Sequence, residues 1–132
     1  MLARLALATV GLANLASAWW ISFYTGELCD QDASFNYVNY WGKYQSNCVY
    51  VGEDENNCGW YTDNGQTKNR CTAPMLDPRP SSYLYADDTK CDIYMGSTCE
   101  ADTIVQVGPG QCGQISYPDG YTGGVSISCN QA

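Results

Sequence analysis

Short apolar runs and strict alternations, each stopped by turn-forming residues, dominate the hydrophobic pattern of this chain. WWISFY (19–24) is aromatic and β-branched and closes on Gly26. CVYV (48–51) and TIVQV (103–107) are brief apolar runs between turn formers, and GVSIS (124–128) alternates without a break. These are strand signals. Asp63-Asn64-Gly65 suits a hairpin turn, and Pro118-Asp119-Gly120 places proline and glycine where a β-turn uses them. In residues 36–45, Tyr37, Tyr40, Trp41 and Tyr44 recur at helical spacing. The Asn, Val, Tyr and Gly around them are poor helix formers, so one helical turn or an ordered loop is expected there. Residues 73–82 hold three prolines and read as a loop, the natural break between halves at 19–72 and 83–132. The pattern as a whole predicts an all-β chain folded as a sandwich or barrel.

Composition changes this picture at three points. Arg4, the apolar stretch 5–15 and Ala16-Ser17-Ala18 match a secretory signal peptide over residues 1–18, leaving 19–132 as one domain. All eight cysteines fall in that domain: Cys29, Cys48, Cys58, Cys71, Cys91, Cys99, Cys112 and Cys129. An even count in an exported chain predicts a disulfide framework, with 105 possible pairings. Zinc needs closer cysteine pairs, and the chain has no histidine. Without Arg4, five basic residues face fourteen acidic ones, a net charge of −9. That balance argues against nucleic acid and against direct binding to a lipid membrane, both of which reward positive charge.

The chain also repeats. Tyr24, Gly26 and Cys29 of FYTGELC fall on Tyr94, Gly96 and Cys99 of IYMGSTC, an offset of seventy. A second cysteine follows in each copy, in NCVYV and in QCGQI, and the later copy closes on GGVSISC. The earlier copy closes more loosely on SSYLYA (81–86), after an insertion carrying Cys58 and Cys71. This order resembles the βγ-crystallin motif, in which an aromatic strand, a glycine turn and a later serine-hydrophobic strand build one Greek key. The resemblance implies a disulfide-stapled β-sandwich of two Greek keys. It is to the small cysteine-rich members: plant antimicrobial proteins, yeast killer-toxin-like proteins and secreted fungal effectors. The calcium site of that family is not carried over, because GGVSIS has glycines in place of the acidic pair. Residues 54–65 do not complete an EF-hand either, so no metal and no cofactor is expected.

The candidate chemistry is thin. Without histidine there is no Ser-His-Asp triad and no Cys-His pair, and bridged cysteines leave no thiolate. Glu53-Asp54-Glu55 and Asp87-Asp88 read as solvated loop charge, and no catalytic residue is assigned. The aromatic excess is more informative: eleven tyrosines and four tryptophans against two phenylalanines. Tyr37, Tyr40, Trp41 and Tyr44, and the pair Trp60-Tyr61, sit among amides and charges. Such rings either pack over the sheet and the bridges or form a binding face, and a surface role is expected for part of the first group only. The expected function is therefore a non-enzymatic secreted protein, of effector or toxin-like type, binding an extracellular protein or glycan. A cell-wall polysaccharide-binding module is the alternative, and a small carboxylate-dependent hydrolase the third reading.

Overall fold

The computed structural model describes residues 18–31, 34–77, 79–86, 88–100, 103–106 and 112–131. The segment read as a signal peptide lies outside them except for Ala18. Within them are ten strands: β1 Trp19–Tyr24, β2 Tyr37–Gly42, β3 Val49–Tyr50, β4 Cys58–Thr62, β5 Thr67–Asn69, β6 Ser82–Tyr85, β7 Thr89–Met95, β8 Thr103–Gln106, β9 Gly113–Gln114 and β10 Val125–Gln131. One 3-10 turn covers Cys29–Gln31. The strands form two antiparallel sheets, ordered β5-β4-β2-β1-β6-β9 and β3-β10-β7-β8. The all-β expectation holds.

The inner faces follow from strand parity, since alternate side chains point to opposite sides of a sheet. Ile21 and Phe23 of β1 lie beside Tyr40 and Val38 of β2 and beside Tyr85 and Tyr83 of β6. Cys91 and Ile93 of β7 lie opposite Cys129 and Ile127 of β10. These residues join one core with Trp19, Val51, Met75, Ile115 and Val125. Burying each large apolar side chain contributes about 1.5–3 kcal/mol. Met75 comes from the proline-rich loop and donates its N–H to the Gly52 carbonyl at 2.8 Å, so that loop also serves the core.

Residues 36–45 differ from the expected turn or loop: Tyr37–Gly42 is a full strand. The aromatic spacing fitted a helical period, but burial alternates, with Val38 and Tyr40 inside and Tyr37, Asn39 and Trp41 on the other face. Pairing with the strongly β-prone β1 decides the matter over weak local propensity. The turn at 63–65 is as expected, with φ of 55° at Asp63, 57° at Asn64 and 80° at Gly65, joining β4 to β5. At 118–121, Tyr121 N–H donates to the Pro118 carbonyl at 3.1 Å and Gly120 has φ 80°.

The sequence repeat has a structural counterpart. Tyr24 sits opposite Ser82, and Tyr94 opposite Ser126. After each tyrosine the chain turns back, reaching Cys29 with φ 56° and Cys99 with φ 55°. The Cys29 N–H donates to Ser82 Oγ at 2.9 Å, and the Cys99 N–H to Ser126 Oγ at 3.1 Å. Each copy of the repeat also sends a two-residue strand to the other copy's sheet: β3 pairs with β10, and β9 with β6, the SSYLYA strand on which the earlier copy closes.

All eight cysteines are bridged. Cys29–Cys112 ties the turn after β1 to the entry of β9, and Cys48–Cys99 ties the turn after β7 to the entry of β3. The two bridges are thus equivalent, each joining one half's turn to the other half's lent strand. Cys91–Cys129 links directly opposed residues of β7 and β10, and Cys58–Cys71 closes the β4–β5 hairpin.

Candidate functional site

The six aromatic residues singled out above separate into three groups. Tyr40 belongs to the core, 1 % exposed. Its hydroxyl donates to the Asp54 carbonyl at 2.9 Å and accepts from the Gly52 N–H at 3.0 Å. Trp60 lies opposite Val38 and is half-buried against the core, its Nε1 without a partner among the described residues. Neither ring offers a free face.

Tyr37 and Tyr61 stack on one another, with centroids 4.6 Å apart and planes 13° apart. Tyr24 and Phe35 extend this group at 5.1 and 6.1 Å from Tyr37. The hairpin turn closes over it: a Cβ on Gly65 would meet Phe35 at 2.9 Å and Tyr37 at 3.1 Å, and Asn64 Oδ1 accepts the Phe35 N–H at 3.1 Å. These rings hold the β4–β5 hairpin to the sheet.

Trp41 and Tyr44 remain, and they do share a surface. Both line an open cleft of about 470 Å³ between residues 41–49 and 54–57. Their exposures are 43 % and 82 %. Trp20, not singled out from the sequence, is 38 % exposed and sits directly opposite Trp41 in register. Parity alone would not have found it, because Ser22 and Tyr24 on the same face of β1 are buried. Leu28 is the only other exposed large apolar residue among those described.

The loop carrying Tyr44 is held at three points. Trp19 Nε1 donates to the Tyr44 carbonyl at 2.7 Å. Ser46 exchanges two bonds with the Cys129 backbone, each 2.7 Å, and Cys48 is bridged to Cys99. Gly42 permits this packing, since a Cβ there would lie 2.8 Å from the Trp19 ring. Gly42→Ala is expected to cost about 1–3 kcal/mol through overpacking. Chemical denaturation checks this, and an unchanged midpoint would show that the ring moves aside freely.

The opposite wall is shaped by acids that do not behave as free loop charge. Asp54 Oδ2 accepts the Tyr50 N–H at 2.6 Å and Glu55 Oε2 accepts the Ala73 N–H at 2.9 Å, so two members of the acidic run fix backbone instead. The side-chain amides of Gln45, Asn47 and Asn56 line the cleft with no hydrogen-bond partner among the described residues.

Buried phenols give the fold a pH dependence. Burial pushes Tyr24 up to about 12, with Asp30 and Tyr37 acting the same way. Burial also pushes Tyr117 up to about 12, against the opposing guanidinium of Arg79, which lies 3.6 Å over its ring. In the unfolded chain these groups ionise near 10, so between about pH 10 and 12 the unfolded state binds fewer protons and stability falls as pH rises. Unfolding free energy is expected to be flat below about pH 9 in this respect and to decline above 10. Tyrosinate absorbance should lag in the folded protein relative to the denatured one; coincident titrations would contradict the burial.

Compared with known proteins, the chain matches no protein-family model, no curated protein and no solved structure.

Proposed function

We propose that this chain is a secreted, non-catalytic binding protein built from two crystallin-like Greek-key units, acting on an extracellular target in the manner of an effector or toxin-like protein. The observation that carries this reading is the exposure of Trp20 and Trp41, paired across β1 and β2, and of Tyr44, which shares a cleft with Trp41, on a scaffold locked by four disulfides. Exposed aromatic rings on paired strands and a pinned loop are what a binding surface uses, because little ordering entropy is left to lose on association. The two-unit reading is supported by the matching Ser82–Cys29 and Ser126–Cys99 turns and by the lent strands β3 and β9.

Export is supported by the leader-like residues 1–18 and by complete pairing of the cysteines, which suits an oxidising compartment. A second reading, a cell-wall polysaccharide-binding module, is favoured by the free amides beside Trp41 and Tyr44. Incubating the oxidised protein at high concentration with wall polysaccharides tests the non-catalytic claim. No release of soluble sugar is expected, and sustained release would overturn it.

A further inference from the structure

We propose that Trp20, Trp41 and Tyr44, with the amides of Gln45, Asn47 and Asn56, form a binding site for an uncharged polysaccharide strand. The proposal rests on the reading of the chain as a non-catalytic binding protein and names the ligand class of that surface.

The rings supply flat apolar faces suited to the C–H face of a sugar. Trp20 pairs with Trp41 in register across β1 and β2, outside the cleft itself, and Trp41 shares the cleft with Tyr44. Exposed rings at an open cleft, rather than in one deep pocket, fit an extended ligand. The flanking groups fit hydroxyls, since each amide both donates and accepts and a hydroxyl needs both. Gln45, Asn47 and Asn56 are exposed and unengaged, ready to exchange water for ligand.

Charge selects within this class. Lys43 is the only cationic side chain lining the cleft, and the chain is strongly acidic, so an anionic polymer meets repulsion. The pinned loop limits the entropy lost when a weak, repetitive ligand binds.

The test is calorimetric titration of the oxidised protein with chitohexaose, cellohexaose and laminarihexaose up to about 1 mM, a range where weak site binding is measurable. Mass analysis of the sugars afterwards reports any cleavage. Saturable binding of at least one oligosaccharide is expected. Trp41→Ala and Tyr44→Ala should each weaken it at least about tenfold, whereas Leu28→Ala, an exposed apolar change elsewhere, leaves it unchanged. Both cleft variants alter exposed side chains, and circular dichroism confirms their folding. No saturable binding overturns the site and leaves the broader reading with a protein target. Binding that survives both substitutions also overturns the site. Shortened oligosaccharides overturn the non-catalytic reading instead, while the variants still judge the site.

Discussion

Replacing Cys29 and Cys112 together by alanine is expected to lower unfolding free energy by about 4–5 kcal/mol, the largest effect of any bridge removal in this chain. The bridge spans 83 residues, against 51 for Cys48–Cys99, 38 for Cys91–Cys129 and 13 for Cys58–Cys71. If a cross-link acts mainly by restricting the unfolded chain, its contribution rises with the logarithm of the loop it closes. The same relation gives about 3 kcal/mol for Cys58–Cys71. The native contacts point the same way, because Cys29–Cys112 holds one half's turn to the other half's strand, whereas Cys58–Cys71 closes one hairpin. Domains of this size are stable by only about 5–15 kcal/mol in total, so the first double variant should unfold at far lower denaturant. Guanidinium titrations under non-reducing conditions measure both. A smaller loss for Cys29/Cys112 than for Cys58/Cys71 would contradict the architecture.

Ser82→Ala is expected to cost about 2–4 kcal/mol, an unusual amount for removing one oxygen. Ser82 is fully buried, and its hydroxyl accepts from the Cys29 N–H while donating to the Gly26 carbonyl at 2.6 Å. Alanine fills the space but leaves the Cys29 N–H and the Gly26 carbonyl each without its bond to the hydroxyl. Ser126→Ala removes the equivalent bond to the Cys99 N–H and should cost about 1–3 kcal/mol. Ser97→Ala, on an exposed position, serves as the control and should be close to neutral. Equal costs at Ser82 and Ser97 would mean that the hydroxyl does not hold the turn.

What could be read in the sequence, and what could not, divides along the range of the forces involved. WWISFY became β1 residue for residue, and the 63–65 turn and β10 formed where local propensity and glycine placed them. The strand Tyr37–Gly42 escaped because its aromatic spacing suits a helical period as well as an extended one, and only β1 as neighbour decides. β3 and β9 are two residues long and owe their existence to partners distant in sequence, β10 and β6. The cysteine pairing was equally non-local: the repeated cysteines bond across the halves, not within a copy.

The site shows the same division. Trp41 and Tyr44 were legible as aromatics among amides, but Tyr40 between them was not separable by residue type. Strand parity separates it, sending 38 and 40 inward and 39 and 41 outward. Trp20 lies in a strand that reads as core and is buried at every other position, so only its place opposite Trp41 near the strand's start marks it as exposed. Asp54 and Glu55 looked like solvated charge because a backbone N–H brought close by folding leaves no mark on the sequence around the acid.

The proposal with the widest consequence is that the Trp20–Trp41–Tyr44 surface binds an uncharged polysaccharide and performs no chemistry on it. Depletion of the oxidised protein from solution by insoluble chitin, β-glucan and cellulose, alongside a Trp41→Ala/Tyr44→Ala variant, tests it most directly. The parent protein is expected to be removed by at least one of these polymers, the variant to stay in solution, and no sugar to be released. Equal retention of both proteins in solution on every polymer, or equal removal of both, would contradict it.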